Sequence, residues 1–300
     1  MPDPLLNVDF EPLYYDVHAA MDFLWNLPGV DALGGRSMDV HVYWKTVRPF
    51  ERKQLLPIKS FIATQELSQL RLHLWSNEDL TKLPILRPWL PYLHFHLYRP
   101  ELEARDTVLE GRWQAGADDA LVYSGGDVFR ALILHKHGGV YVDMDSVFLR
   151  DLRPVLAEEF MYKWSFQRDM ISSAVMHLRQ RSDLSQRLMQ GLLELPQGGT
   201  NWGCQNNMRA YAIRPFRVLP CAFFNPEWQV RLSPEEKASL SRPAVTFEPF
   251  EVHEFTKEDY PGSFVWHWHN RWDAEVKPGC KFERLERRTD TRLRDMGLLA

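Results

Sequence analysis

The chain has little that would tie it to an oxidising compartment or to a bilayer. Its 300 residues include three cysteines, Cys204, Cys221 and Cys280. They are odd in number, widely spaced and without a metal-ligand pattern, so reduced buried thiols are expected rather than a disulfide framework. No apolar run reaches the roughly eighteen residues of a membrane-crossing helix. The start, Met1-Pro-Asp-Pro4, lacks the basic end and apolar stretch of a secretory signal. A cytoplasmic location is therefore the expectation, with peripheral contact at the inner face of a membrane left open. Charge of one sign is scarce too. A formal net charge of -4 and a pI near 6.3 leave no global basic footprint, which argues against nucleic acid as a partner. There is no internal repeat and no low-complexity segment. What is present, 45% hydrophobic and 25% charged residues, suffices for one large domain with a substantial core and small additions.

The most informative stretch runs from Asp127 to Asp145. Val128, Ala131, Leu132 and Leu134 fall at helical spacing up to His137, and Gly138-Gly139 supplies a stop that permits positive φ. Val140 to Met144 then reads as a strand. Alternation sends Tyr141, Asp143 and Asp145 to one face, so two carboxylates can approach one cation. Asp127 and Arg130, three apart, share a face of the preceding helix and offer an acceptor and a cationic fork to one ligand. An Asp-x-Asp triplet alone is weak evidence, since acidic pairs at strand ends are often solvated. The ordered set of Asp-x-x-Arg helix, double glycine, apolar strand and Asp-x-Asp predicts a metal and diphosphate site. Hard carboxylate ligands suit Mn2+ or Mg2+.

Asp127-Val-Phe-Arg130 through Gly138-Gly139-Val-Tyr141-Val-Asp143-Met-Asp145 resembles the signature of the DXD-containing glycosyltransferases of family 32. Weaker likenesses extend it: His41-Val-Tyr-Trp44 to the family's opening strand, Leu70 to Trp75 to its second, and Phe264-Val-Trp-His267-Trp-His-Asn270-Arg-Trp272 to its closing active-site segment. The resemblance implies an α/β, GT-A type nucleotide-diphospho-sugar transferase fold, with a mostly parallel central sheet flanked by helices. It implies a metal held by Asp143, Asp145 and His267, and a sugar gripped by Asp127 and Arg130. Trp44 would stack on the nucleobase, Tyr141 would line the sugar-phosphate pocket, Trp272 would cover the phosphate and glycosidic oxygen, and Asn270 would support metal or phosphate. Each has a plainer alternative: core tryptophans, a packed histidine, a tyrosine bonded to backbone, an intrahelical ion pair. The implied reaction is transfer of a hexose or N-acetylhexosamine, with retention, from a nucleotide-diphosphate sugar, expected to be a UDP-sugar. The acceptor would be a glycan, a lipid-linked saccharide or a protein. A metal-dependent sugar-nucleotide hydrolase or phosphoesterase and a non-catalytic sugar-binding module are the competing readings.

The rest of the chain divides accordingly. Residues 1–36 form a helical extension with Leu13, Val17, Met21 and Leu24 on one stripe, residues 37–280 the catalytic domain, and 281–300 a charged tail expected as a solvated helix. Within the middle segment, a strand at His41–Trp44, a helix at 55–67 and a strand at 70–75 predict a β-α-β unit. Residues 84–100 are proline-rich, with an aromatic strand at 92–98 whose His94 and His96 lie on a half-exposed face. Residues 101–120 are helix-compatible. An antiparallel pair spans 160–166 and 171–177 around a turn at 167–169. An amphipathic helix follows at 180–195, then a loop at 198–203 and a helix at 205–213.

Overall fold

Val40, Val42 and Trp44 alternate along strand β1 (Met38–Trp44), and all three side chains are buried. The computed structural model describes residues 3–112, 123–165, 168–194, 202–226 and 262–300. Helix α3 (Arg52–Thr64) returns the chain to β2 (Leu70–Ser76), which pairs parallel with β1 in register from Met38↔Leu70 to Trp44↔Ser76. The expected β-α-β unit is therefore present, each element displaced by a few residues. Short 3-10 helices at Leu80–Lys82 and Arg87–Tyr92 carry the proline-rich stretch to β3 (Leu93–Leu97), again parallel to β2.

The full sheet has seven strands in the order β3-β2-β1-β4-β7-β6-β8. The remaining strands are β4 (Gly139–Val142), β6 (Phe160–Ser165), β7 (Arg168–Leu178) and β8 (Arg217–Leu219). Strand β4 is parallel to β1, whereas β7 runs antiparallel to both β4 and β6. This is the mixed, mostly parallel α/β architecture of the GT-A type. Of the turn expected at 167–169, Arg168 and Asp169 instead begin β7 and residue 167 lies outside the described residues; of the loop expected at 198–203, Trp202 and Gly203 instead open a helix and the rest lies outside them, as does 113–120. Only α4 (Pro100–Glu103) and turns occupy 101–112.

Helix α5 (Tyr123–His137), the motif helix, covers one face of the sheet and buries Val128, Phe129, Ala131 and Leu132. It ends at Gly138 and Gly139, with φ of 70° and 98°. A Cβ on Gly139 would overlap the carbonyl oxygen of Asp39, so only glycine lets the strand start this close to β1. Helices α6 (Asp183–Glu194) and α7 (Trp202–Ile213) pack beside it.

The N-terminal stretch holds two helices, α1 (Glu11–Tyr15) and α2 (Val17–Asn26), separated at Asp16, whose carboxylate caps the second through the His18 and Ala19 amides. Leu13, Ala20 and Leu24 are buried in the main core. The charged C-terminal stretch differs from the solvated helix expected. Helix α8 (Lys281–Asp295) buries Phe282, Leu285, Thr289 and Leu293, and ion pairs Arg52–Glu286 and Lys59–Asp290 tie it to α3. Its apolar positions recur every three or four residues between the charges, enough for one packed face. Among the described residues no helix is long and apolar enough to cross a membrane.

Candidate active site

The strand carrying the motif stops two residues earlier than its alternation predicts. β4 ends at Val142, Asp143 continues only as far as an N–H bond to the Ala174 carbonyl at 2.8 Å, and Met144-Asp145 turn the chain out of the sheet. The reason is a competing partner. Ser146–Phe148 forms β5, which pairs antiparallel with β9 (Val265–His267) in a separate two-stranded sheet, Ser146 opposite His267. The Trp268 N–H bonds the Asp145 carbonyl at 3.0 Å and extends that pairing. The two carboxylates thus converge across a turn rather than along one strand face, and the pairing delivers His267 beside them.

Asp143, Asp145 and His267 each offer a ligand atom, all within 4.8 Å of one another. His267 Nε2 lies 3.1 Å from an Asp145 oxygen, and its Nδ1 is buried without a hydrogen-bond partner among the described residues. Two hard oxygen donors and an imidazole, with one ring nitrogen unassigned, fit a divalent cation of the Mn2+ or Mg2+ type. Asp145 is 3% exposed and His267 8%, so the charge is held out of water.

Arg130 is the hub on the α5 side. Its guanidinium donates to Asp143 at 3.1 Å, to Ser173 Oγ at 3.0 Å and to the Gly126 carbonyl at 3.2 Å, and Asp127 lies 3.6 Å away. The guanidinium carbon sits 4.9 Å from the centre of the Tyr141 ring, whose hydroxyl donates to Asp143 at 2.6 Å. Asp127 faces the N-terminal turn of α7. A Cβ on Gly203 would overlap the whole Asp127 carboxylate, so the missing side chain there admits it.

The third wall is the segment after β9. His269 and Asn270 are both left-handed, with φ of 57° and 58°, a conformation costly for non-glycine residues. The bend turns the Asn270 N–H onto the second Asp145 oxygen at 2.5 Å. The Asn270 side chain accepts the Trp272 indole N–H at 2.9 Å, and His269 Nε2 meets Asn225 Oδ1 at 2.9 Å. Trp272 packs edge-on against Trp44 and Trp268, each 4.8 Å between ring centres. Trp44 is 5% exposed, with its indole nitrogen lacking a partner among the described residues.

The electrostatics follow from this crowding. Burial raises the Asp143 carboxyl, more than Arg130 lowers it. Burial acts the same way on Asp145, but His267 and the Asn270 N–H outweigh it and bring the pKa down to about 2. Burial opposes the imidazolium of His267, yet the paired carboxylates raise it above the usual histidine range. Burial likewise opposes the Arg130 charge, and Asp143, Tyr141 and Asp127 more than compensate.

Every residue singled out from the sequence lies along one continuous wall, from Asp127 through Arg130, Tyr141, Asp143, Asp145, His267 and Asn270 to Trp272 and Trp44. Asn225 and Lys53 were not foreseen, nor were the hydrogen bond of Ser173 to Arg130 and the place of Gly203 against Asp127. Ser173 stands on β7 beside β4, a placement visible only once the antiparallel pair is built. A cleft of about 420 Å³ opens elsewhere, between α6, the end of β7 and the start of β8. Three of its arginines are paired there or nearby, Arg179 with Glu158, Arg214 with Asp183 and Arg217 with Asp3, and none of the motif residues lines it.

Residues 105–162 match the family model for the glycosyltransferase sugar-binding region containing the DXD motif. That segment contains Asp127, Arg130, Tyr141, Asp143 and Asp145. Among solved structures, glycosyltransferase GlyE of Streptococcus pneumoniae TIGR4 superposes with a TM-score of 0.52 over 88% of this chain, at 11% identity. Its apo form gives 0.50 over 87%, also at 11% identity. Both likenesses concern the fold, and the chain spans 64% of the length of each. No curated protein matches.

Proposed function

We propose that this chain is a metal-dependent glycosyltransferase that moves a hexose or N-acetylhexosamine from a nucleotide-diphosphate sugar, a UDP-sugar in our reading, to a hydroxyl acceptor on a glycan or lipid-linked saccharide. The observation that supports it best is the convergence of Asp143, Asp145 and His267 within 4.8 Å, beside a buried arginine. Asp143, Asp145 and His267 would hold Mn2+ or Mg2+, which supplies Lewis-acid stabilisation of the departing diphosphate. Asn270 and Tyr141 orient the two carboxylates by the hydrogen bonds already described. Arg130 and Asp127 take the transferred sugar's hydroxyls, with the guanidinium close enough to the carboxylate pair to meet a phosphate oxygen as well.

Trp44 supplies apolar area for the nucleobase at the carboxyl end of β1, where parallel sheets open their ligand crevice. Trp272 covers the phosphate end. With no nucleophile in the reading, the acceptor oxygen bonds to the anomeric carbon on the face the diphosphate leaves. The acceptor proton passes to the diphosphate oxygen, so the anomeric configuration is retained.

A thermal-shift panel of nucleotide sugars, with and without Mn2+, tests this directly, because a ligand that binds only the folded state raises its melting temperature. The largest metal-dependent shift is expected with a UDP-sugar, and Asp145→Asn should abolish it and lower transfer by about 10³-fold. Equal shifts for every nucleotide, or cleavage of the donor without transfer to any acceptor, would refute the assignment.

A further inference from the structure

Lys53 stands in the first turn of α3, beside Arg52 and with no acidic residue in that turn. A cation there opposes the helix dipole, so helix stability does not account for it. The capping box of Glu51 with Gln54 already satisfies the start of the helix without it. Its ammonium instead donates to the carbonyls of Arg271 at 2.8 Å and Trp272 at 2.9 Å, and to that of Ala274. An ammonium has three N–H donors, so these three acceptors occupy the full set. The nitrogen also lies 5.5 Å from the centre of the Trp268 ring.

The strap so gripped, Arg271–Ala274, forms no helix or strand, and the residue just before it closes the left-handed bend at His269-Asn270. A run of bent backbone with strained residues needs an external anchor to stay in one conformation. From that strap, Trp272 reaches Trp44 and Asn270, and the Asn270 N–H reaches Asp145. Arg48 paired with Asp273 is a second tie on the exposed side of the strap.

We propose that Lys53 is a positioning residue of the donor site: its ammonium gathers the Arg271–Ala274 carbonyls and so fixes Trp272 and the Asn270 N–H against Asp145. The donor half of this statement rests on the function proposed above; the strap half does not.

Burial lowers the Lys53 pKa to about 8, with Asp273 and Cys280 raising it and Arg48 lowering it. Deprotonation removes the charge and one donor, so the grip should weaken as pH rises through 8. An arginine keeps its charge there.

The test uses the full chain with Lys53→Met and Lys53→Arg. Without any ligand, amide hydrogen exchange of residues 270–274 should speed up about tenfold or more in K53M, while α5 and β4 stay unchanged. With Mn2+ present, K53M should bind UDP about tenfold more weakly. K53R should recover most of that loss and, unlike the wild type, keep its UDP affinity above pH 8. Unchanged strap exchange in K53M overturns the proposal whatever the donor is. Unchanged UDP affinity, or a K53R profile that still falls above pH 8, overturns the link to the donor site. A wild-type chain that binds no UDP defeats the donor reading instead, and the exchange result still decides the strap. Should K53M not fold, the K53R pH profile decides the proposal.

Discussion

Two of the regions that bury histidine do so in opposite ways. On β1, His41 is 1% exposed, with Nε2 set 3.0 Å from the Gly138 carbonyl and Nδ1 accepting the Trp75 indole N–H at 3.2 Å. Its neighbour His73 meets His96 at 2.8 Å and Asp39 at 3.1 Å. Burial drives His41 down to about 3 and His96 to about 4, so both of these imidazoles are neutral near pH 7. At the β5–β9 corner, His267 is nearly as buried, but its pKa rises, one ring nitrogen lacks a hydrogen-bond partner among the described residues, and two carboxylates lie against it. A buried polar group whose bonds are complete is structural and asks for nothing more. One with incomplete bonding beside two carboxylates suits a ligand site, the role proposed above for His267.

The contrast can be broken at several points. After Asp145→Asn, the largest effect is expected from Gly203→Ala: the new methyl group must displace the Asp127 carboxylate, and a shift of that kind should cost about 10²-fold in kcat/KM for transfer. Wild-type turnover in that variant would remove Asp127 from the sugar site. Next comes a paired exchange between the two histidines. His267→Ala should weaken Mn2+ binding by about 10²-fold in calorimetric titration and leave the denaturation midpoint near wild type. His41→Phe should do the reverse, costing about 1–3 kcal/mol by leaving the Trp75 N–H and the Gly138 carbonyl unpaired, with metal affinity unchanged. If both variants lose only stability, the corner is no different from the row.

The smallest effect concerns acid. His41, His96 and His177 have folded pKa values of about 3, 4 and 4, all depressed by burial. Between pH 6.5 and 4 these three sites take up protons in the unfolded chain that they refuse in the folded one, so their contribution makes stability fall as pH falls through that window and is constant above it. The urea midpoint should therefore be lower at pH 4.5 than at pH 7, and His41→Phe should flatten that slope.

Much of the site could be read from residues close in sequence or carried by the family likeness. Asp127, Arg130, Tyr141, Asp143 and Asp145 lie within nineteen positions of chain, and helix and strand periods suffice to place them near each other. The end of β4 could not be read, because Asp-Met-Asp-Ser-Val-Phe keeps a strand's alternation on either side of the turn. What breaks the strand is pairing with Val265–His267, more than a hundred residues later. The same distance hides Lys53 and Gly203. A lysine in a first helical turn and a glycine at the head of another carry no local mark of the carbonyls or the carboxylate they meet. The tail was misjudged for a related reason: its charges are dense, but α3 offers Arg52 and Lys59 to neutralise some of them.

The β5–β9 ribbon also has a bearing on when the protein becomes competent. Both aspartates leave the ribosome before the strand that brings His267 and Asn270. A growing chain would thus display an acidic turn with no imidazole and no clasp over it. Cation capture and donor loading would then wait for that later strand.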